Sequence, residues 1–532
     1  MNSTFAAPLL LTLCLLPTHA DQYPRQPGVD VDHYTFRVLL DDRSDAIVGE
    51  TTVTLRFRQD GLSEFWLDLA SAGGGKGMTV AAVASAGAPV SFRHADGRLT
   101  IALTPASRAG ESRRFEIRYS GVPADGLHAV KNKYGERTFF SNNWPNLAHQ
   151  WLPTIDHPYD KATAEFIVTA PARYQVVSNG ALIEAIDLGN GMRSTHWSES
   201  VPICTWLDNI GVAEFSSRHV GTVAGVPLET WVFPRDRDAG VGTFDEAARK
   251  SLEFYRDRIG VYPYEKLANV QAAGLTGGME NASAIFYGEH AVNGRPALRL
   301  ISHEIAHQWF GDSVTEKDWD DVWLSEGFAT YFSLLTSEHY EGRDAFVAGL
   351  KQARERIFAA EKLLPGVAVV QDKPWSGIPN QIVYQKGGWV LHMLRGQIGT
   401  EKFWTGIREY YRRHRDGNAS TADFEKVMEE AADSDLRWFF EQWLYRAGSP
   451  AIEGTWRYNA TTRKVELELS QAQAGDVYRL PLEVAMPGGA APEKIELNQR
   501  RQRFEIACAK TPASVELDPD TWMLADVHLV RK

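Results

Sequence analysis

Basic residues are in the minority in this sequence, and their shortage argues against a nucleic-acid-binding function. Lysine and arginine total 56 against 68 aspartates and glutamates, which gives a formal net charge of -12 over 532 residues. No stretch resembles a basic stripe that could neutralise a phosphate backbone. Internal repeats and low-complexity segments are also lacking, and 44% of the residues are hydrophobic. We therefore expect a folded, soluble protein that does not bind nucleic acid.

Cysteine is scarce, so the cysteines say little about how the chain is stabilised. The sequence contains Cys14, Cys204 and Cys508, and the last two lie far apart along the chain. One disulfide between them is permitted outside the cytoplasm, but two cysteines do not require it. We expect both thiols to be free.

Long hydrophobic runs are missing, and the apolar run at residues 9–16 is too short to span a bilayer. Pro17 interrupts it, and Thr18-His19-Ala20 places small residues where a signal peptidase cuts. The pattern predicts an export signal over residues 1–20. We therefore expect a periplasmic or secreted protein with no transmembrane segment after cleavage; a disordered or membrane-tethered N-terminus is the alternative.

Hydrophobic periodicity divides the chain into three regions. Alternating apolar residues predict strands near both ends, for example at residues 34–40, 51–57, 464–469 and 478–484. Helical spacing dominates between about residues 243 and 448, with clear examples at residues 403–414 and 424–432. Thr243 and Glu246 have the spacing of a capping box, which predicts a helix N-terminus there. The order indicates a multidomain α+β protein.

The most specific motif in the sequence is His303-Glu304-Ile305-Ala306-His307. Residues four apart share one face of a helix, so the two imidazoles can bind the same metal ion. Glu304 can then reach a water molecule at that metal and take its proton. The structural alternative is a pair of core histidines with an exposed glutamate between them.

A second helical segment supplies a third ligand, Glu326, which follows His307 after eighteen intervening residues. Its neighbours are apolar and aromatic, and an unpaired carboxylate is costly to bury among them. Two histidines and one carboxylate leave a fourth coordination position open, which is the arrangement of catalytic zinc. We predict one Zn²⁺ per chain, bound by His303, His307 and Glu326, with Glu304 as the general base.

Taken together, this motif and its spacing resemble the M1 family of zinc aminopeptidases. Gly-Gly-Met-Glu-Asn at residues 277–281 is similar to the family's Gly-x-Met-Glu-Asn exopeptidase motif. Residues 383–388, Val-Tyr-Gln-Lys-Gly-Gly, resemble the segment that carries the family's catalytic tyrosine. Landmarks of the N-terminal domain match at residues 156–158, 161–162 and 178–180. The resemblance runs from about residue 34 to the C-terminus.

The resemblance implies an architecture of three domains after the signal. These are a β-rich N-terminal saddle domain at residues 21–216, a thermolysin-like α-rich catalytic domain at 217–447 and a C-terminal β-sandwich at 448–532. Larger relatives add a helical C-terminal domain, for which this chain shows no corresponding pattern.

The resemblance also implies roles for residues outside the metal motif. Tyr384 would stabilise the oxyanion, and Glu280 would bind the free N-terminal amine of a peptide. The substrate backbone would be contacted by Gly277, Gly278 and Met279. Asn142 stands where many members have a glutamine that helps to hold the amine; if the alignment shifts by two residues, Trp144 takes that place instead.

The function that these predictions favour is hydrolysis of the N-terminal peptide bond of peptides with a free N-terminus. A zinc endopeptidase on the same scaffold is one alternative, and it would cleave N-terminally blocked peptides. A peptide-binding protein that has lost catalysis is the other, although all the predicted catalytic residues are present. The oligomeric state cannot be predicted from the sequence.

Overall fold

The structure is a computed structural model that describes residues 21–370, 380–486 and 491–532. The predicted export signal, residues 1–20, lies outside the described residues and stays a prediction. Among the described residues, no helix combines the length and apolar character needed to cross a bilayer. Cys204 and Cys508 are both free thiols, as expected.

The N-terminal region is built from sheets. Its eight-stranded sheet contains, in spatial order, Ala181–Asp187, Met192–Ile203, Ala162–Pro171, Val29–Leu39, Ile47–Phe57, Ser112–Val122, Gly77–Ser85 and Ala88–Pro89. A four-stranded sheet contains Gln175–Ser178, Ile210–Ala213, Arg137–Ser141 and Leu127–Lys131, and a three-stranded sheet contains Glu64–Asp68, Arg98–Ala102 and Phe92–Ala95. Both strands predicted in this region are confirmed, because alternate side chains are buried along each of them.

The middle region is rich in helices. The α-helices of the described residues are α1 Arg237–Gly240, α2 Glu246–Arg258, α3 Leu298–His307, α4 Trp323–Glu341, α5 Arg343–Leu363, α6 Gly387–Ile398, α7 Thr400–His414, α8 Thr421–Ala432 and α9 Arg437–Leu444. The predicted helices at residues 403–414 and 424–432 are confirmed within α7 and α8.

The predicted capping box at Thr243 is wrong. The chain is already helical in α1, and a π-helical turn, Val241–Asp245, joins α1 to α2 without a break. Thr243 therefore lies inside a continuous helical segment, where no backbone N–H groups are left to cap. Its hydroxyl instead accepts hydrogen bonds from the backbone N–H groups of Asn293 and Gly294, at 3.2 and 3.0 Å.

A five-stranded sheet flanks the helices and carries part of the Gly-Gly-Met-Glu-Asn segment, residues 277–281, at its edge. Its spatial order is Ser216–Val223, Val226–Val232, Leu267–Ala272, Ala284–Gly288 and Gly278–Met279. The last strand is short and antiparallel to its neighbour, with Gly278 opposite Tyr287 and Met279 opposite Phe286. Its outer side pairs with no further strand of the described residues, so its backbone groups can bind an extended peptide.

The C-terminal region returns to strands. A four-stranded sheet contains Arg501–Ala507, Lys464–Gln471, Ala451–Asn459 and Asp526–Arg531, and a three-stranded sheet contains Glu493–Leu497, Leu480–Ala485 and Glu516–Leu517. The predicted strands at residues 464–469 and 478–484 are confirmed, the second of them beginning two residues later than predicted. The exact domain boundaries stay a prediction.

His392 on α6 connects the helical region to the C-terminal region. Its Nε2 donates to the carbonyl of Thr521 at 2.8 Å, and its Nδ1 lies 3.2 Å from the Tyr331 hydroxyl. The ring also stacks on Trp522 with 4.7 Å between the ring centroids. Burial lowers the pKa of the His392 imidazole to about 3, so the folded protein holds this ring neutral.

This lowered pKa predicts acid sensitivity. The contribution of His392 to stability is complete above the ordinary histidine pKa of about 6.5 and is lost progressively as the pH falls towards 3, which amounts to about 2 kcal/mol at pH 5. Replacement by glutamine removes the titration, so the Tm of His392→Gln should fall less between pH 7 and pH 5 than the Tm of the unmodified protein. Equal falls in Tm would contradict this role.

Candidate metal centre and active site

Two packed helices place the three predicted ligands together. Ile301 and Ile305 are fully buried and fix one face of α3, while His303 and His307 lie one turn apart on a neighbouring face. Glu326 lies in the first turn of α4, which packs against α3. The side chain of His307 is 1% exposed and that of Glu326 5%. The structure thus brings these three residues close together, as predicted.

The distances between the ligand atoms fit a zinc ion. The two Nε2 atoms of His303 and His307 are 3.2 Å apart, and Glu326 Oε2 lies 3.4 and 3.3 Å from them. Tetrahedral ligands at zinc–ligand distances near 2.0–2.1 Å are separated by about 3.3 Å. Glu326 Oε2 is buried without a hydrogen-bond partner among the described residues. A buried carboxylate oxygen that faces two imidazole nitrogens at these distances is suited to share a cation with them.

Neighbouring groups orient the ligands. The Nδ1 atom of His307 lies 3.0 Å from Ser325 Oγ and 3.3 Å from the carbonyl of Phe310, so this nitrogen can carry the proton and leave Nε2 free for the metal. Burial opposes ionisation of Glu326, but the two imidazoles beside it, His307 above all, outweigh burial and lower the pKa of the carboxyl to about 2. Glu326 is therefore a carboxylate.

Removal of one ligand should weaken zinc binding. We expect about one zinc per chain in the unmodified protein and a loss of at least about tenfold in affinity in Glu326→Gln, because an amide is a neutral and weaker ligand. Titration against a competing chromophoric chelator measures the affinity. Glu253→Gln, on the exposed face of α2, is the matched control. Undiminished affinity in Glu326→Gln would exclude Glu326 as a ligand.

Glu304 lies beside the predicted metal ligands and against Gly278 of the Gly-Gly-Met-Glu-Asn segment. One oxygen of its carboxylate lies within 4.8 Å of a ring nitrogen of each histidine. A Cβ atom added at Gly278 would come within 2.2 Å of the Glu304 carboxyl carbon, so the glycine allows this close approach. Burial, followed by the charge of Glu280, raises the pKa of the Glu304 carboxyl well above its usual value. A carboxylate of raised pKa is a better proton acceptor.

Glu280 is a second buried carboxyl group beside the metal ligands. Its Oε1 lies 4.0 Å from His307 Nδ1 and has no hydrogen-bond partner among the described residues. Burial raises the pKa of Glu280 to about 7, since a negative charge is poorly solvated there. A cationic group placed against it would restore the charge, so this position is suited to bind an ammonium.

Tyr384 reaches the centre from a different segment. It lies in a π-helical turn, Ile382–Lys386, immediately before α6, and its hydroxyl donates a short hydrogen bond to Glu326 Oε1. Its ring stacks against His303 with 6.0 Å between centroids. Burial and the charge of Glu326 raise the pKa of the phenol, which keeps the hydroxyl protonated as a donor.

The structure supports the remaining predicted residues to different degrees. Gly277 has a φ of 84°, and Gly278 and Met279 form the edge strand described above. The backbone N–H of Asn142 donates to the carbonyl of Gly126, and its buried Oδ1 has no partner among the described residues. The direct contacts of these residues with substrate, including the amine contact of Asn142, stay predictions.

Gln308 is a contributor that the sequence analysis missed. Its side chain is fully buried, and its Nε2 donates at 2.7 Å both to the backbone carbonyl of Glu280 and to Asp312 Oδ2. Its Oε1 accepts from the backbone N–H of Ser283 at 2.8 Å. Gln308 thus fixes the backbone at Glu280 and, three residues later, at Ser283 to the end of α3. Its position directly after His307 gave no periodic signal for this role.

Lys161 also supports the site, by connecting the N-terminal region to the helical region through hydrogen bonds. Its Nζ donates to the carbonyls of Asp312 and Ser313, each at 2.9 Å, and to Thr315 Oγ1 at 3.0 Å. These acceptors lie in the segment that connects α3 to α4. The match of Lys161 to a family landmark is therefore explained by its support of the loop between the metal ligands.

Comparisons with known proteins identify the family of this chain. Residues 30–207 match the Peptidase M1 N-terminal domain, and residues 244–443 match the Peptidase family M1 domain. Glutamyl aminopeptidase of Rattus norvegicus is 28% identical over 346 residues, which cover 61% of this chain and 36% of that protein. Tricorn protease-interacting factor F2 of Thermoplasma acidophilum is 30% identical over 346 residues, covering 62% and 43%. The chain thus spans well under half the length of these relatives.

Solved structures extend the similarity over more of the chain. The M1 zinc metallopeptidase of Deinococcus radiodurans is 27% identical with a TM-score of 0.66, covering 78% of this chain and 94% of that one. A mutant of that metallopeptidase bound to a Tyr-Ser-Ala substrate is 25% identical with a TM-score of 0.68, covering 79% and 94%. Both M1 domain models match and the fold agrees with these structures, so the chain belongs to peptidase family M1 and uses Zn²⁺ as its cofactor.

Proposed function

We propose that the protein is a zinc aminopeptidase that hydrolyses the first peptide bond of peptides with a free N-terminus. The proposal rests on one observation above all, the position of Glu280. The Oε1 atom of this carboxyl group has no hydrogen-bond partner among the described residues, and an oxygen of the same group lies within 4.8 Å of a carboxylate oxygen of the proposed ligand Glu326. An ammonium bound to Glu280 is therefore held next to the metal, which limits how much peptide fits between the two.

Because the space between Glu280 and the metal is short, the covalent geometry of a peptide decides which peptide bond reaches the metal. In an amino-terminal residue, the amine nitrogen and the carbonyl carbon of the first peptide bond are about 2.5 Å apart. A peptide whose amine binds Glu280 thus brings its first carbonyl, rather than a later one, to the metal centre. A blocked N-terminus carries no positive charge for Glu280 and places extra atoms in the same space.

His303, His307 and Glu326 would hold the zinc ion. When bound, zinc supplies Lewis-acid chemistry: it polarises a carbonyl and lowers the pKa of water. Glu304 accepts the proton of the attacking water and later delivers it to the leaving amine. The Tyr384 hydroxyl donates a hydrogen bond to the carbonyl oxygen of the scissile peptide bond as that oxygen becomes negative. In doing so, the hydroxyl exchanges its present acceptor, Glu326 Oε1, for the substrate oxygen.

The backbone of the exopeptidase motif would align the substrate. Gly278 and Met279 form a sheet edge, so an extended peptide can add to that edge through main-chain hydrogen bonds. Gly278 also brings the Glu304 carboxylate close to the same peptide. The substrate, the base and the amine-binding carboxylate are thus arranged by three consecutive residues and one helix.

Hydrolysis of matched substrates tests the proposal. A panel of aminoacyl-naphthylamides and the same compounds with N-acetyl groups should be assayed with and without a zinc chelator. Cleavage of the free-amine compounds alone, blocked by the chelator, is the expected result. Cleavage of the acetylated compounds would favour the endopeptidase alternative, and zinc binding without hydrolysis would favour a peptide-binding protein.

For the location of this activity, we propose export directed by residues 1–20. The proposal rests on the apolar run and the small residues at positions 18–20. N-terminal sequencing of the protein recovered outside the cytoplasm should begin at Asp21. Recovery of the uncleaved chain from the cytoplasm would contradict export.

A further inference from the structure

The turn that carries Tyr384 is an irregular segment that requires its own support. A π-helical turn is rare and less favourable than an α-helical one, and it persists where the surrounding contacts hold it. One support is the close backbone contact between Gly387 and Gly327, the residue after the ligand Glu326. A Cβ atom at Gly327 would lie 2.9 Å from the carbonyl carbon of Gly387. This contact fixes the end of the turn against α4.

Lys386 provides a second and more directional support. Its side chain is completely buried, and its Nζ donates to Glu361 Oε1 on α5 at 2.9 Å and to the carbonyl of Gly448 at 2.7 Å. A buried ammonium is stable only when paired, so these two acceptors determine where Lys386 can lie. Tyr384 is two residues away in the same turn.

Both acceptors are themselves held by the chain that enters the C-terminal region. Ser449 Oγ donates to the same Glu361 Oε1 at 2.9 Å, and the Tyr478 hydroxyl donates to the carbonyl of Gly448 at 3.0 Å. Tyr478 is fixed in turn by Arg446, whose guanidinium lies 3.8 Å from the ring centroid. The π-helical turn Ile382–Lys386 is therefore connected, through the hydrogen bonds of Lys386, both to α5 and to the C-terminal region.

We infer that Lys386 is a positioning residue for Tyr384, and that the C-terminal region supports catalysis through the contacts of Gly448, Ser449 and Tyr478 with this lysine and its partner. This inference rests on the proposed role of Tyr384 as the donor to the oxyanion. Lys386 touches neither substrate nor metal. Its effect is on where the tyrosine hydroxyl lies relative to Glu326.

Kinetics of Lys386→Met should separate positioning from simple stabilisation. Because a small displacement of a catalytic group costs up to about 10²-fold in rate, we expect kcat for an aminoacyl-naphthylamide to fall by about 10- to 100-fold. KM and zinc content should remain unchanged. The matched control is Lys402→Met, whose exposed lysine donates to the carbonyl of Ala432 on another surface and should leave kcat unaltered.

A double-mutant cycle with Tyr384→Phe distinguishes an effect through the Tyr384 hydroxyl from a purely structural effect. If Lys386 acts through the tyrosine hydroxyl, Lys386→Met should change kcat less than about twofold once that hydroxyl is absent. An equal loss in both backgrounds would overturn the inference and leave Lys386 a structural residue. Full kcat in Tyr384→Phe alone would instead refute the proposed role of the tyrosine, and the inference with it.

Ser449→Ala gives a milder probe if Lys386→Met does not fold. It removes one hydrogen bond to Glu361 and leaves the buried ion pair intact, so we expect a loss of about two- to fivefold in kcat. The loss should again disappear in the Tyr384→Phe background. Unchanged kcat in Ser449→Ala would exclude a contribution of the C-terminal region by this route.

Discussion

Replacing Glu304 by glutamine should lower kcat by a factor of about 10² to 10⁴ without loss of zinc, which is the contribution expected of a general base. Glutamine has nearly the same shape and keeps the contact with Gly278, but it cannot accept a proton. Because the two imidazoles and Glu326 remain, the metal centre should assemble normally. Steady-state kinetics and zinc content, measured on the same preparation, check both halves of this prediction.

A structural role for Glu304 would give a different result. Glu304 lies on α3, is 5% exposed and packs against Gly278, so a disruptive change there would also lower Tm. The neutral amide removes a buried charge, so the expected Tm is equal to or above that of the unmodified protein. Glu253→Gln controls for the loss of one carboxylate. Near-normal kcat in Glu304→Gln would exclude it as the base.

Replacing Glu280 by glutamine should remove most of the preference for a free N-terminus. A hydrogen bond between charged groups contributes about 1.5 to 3 kcal/mol, so kcat/KM for free-amine substrates should fall by about 10- to 150-fold. Acetylated substrates gain nothing from the carboxylate, so their low kcat/KM should stay the same or rise. The ratio of the two rates, rather than either alone, measures the selectivity.

The two glutamates are therefore distinguishable by kinetics. Loss of Glu304 should slow free and acetylated substrates by similar factors, because the base acts on every peptide bond. Loss of Glu280 should slow only the free-amine substrates. A Glu280→Gln variant that keeps its full discrimination would mean that another group binds the amine, and Asn142, with its unpartnered Oδ1, would be the first to replace.

The three residues that we propose as zinc ligands could be singled out from the sequence because their signal is local. His303 and His307 are related by one helical turn, and the position of Glu326 in a second apolar helix follows from the cost of burying a carboxylate. The roles of Glu280 and Tyr384 came instead from resemblance to a family. The structure adds one observation for each residue. Glu280 Oε1 lies 4.0 Å from His307 Nδ1, and the Tyr384 hydroxyl donates a hydrogen bond to Glu326 Oε1.

The supports of the site could not be predicted in the same way. Lys386 and Glu361 are 25 residues apart, and Lys161 reaches acceptors more than 150 residues away, so neither pairing leaves a periodic pattern. Thr243 shows the opposite error, since a correct local motif was overridden by a helix that had already begun upstream. Local spacing thus predicted that His303 and His307 lie on one face of a helix, whereas burial and long-range contacts decided which residues support the site.

Digestion of a single unmodified peptide of about ten residues, followed over time by mass spectrometry, tests the central claim most directly. The proposed aminopeptidase should release one N-terminal residue at a time and produce a series of peptides that keep the original C-terminus. Addition of a zinc chelator should stop the series. Fragments that arise from an internal bond at the earliest time points, or shortening from the C-terminus, would contradict the account.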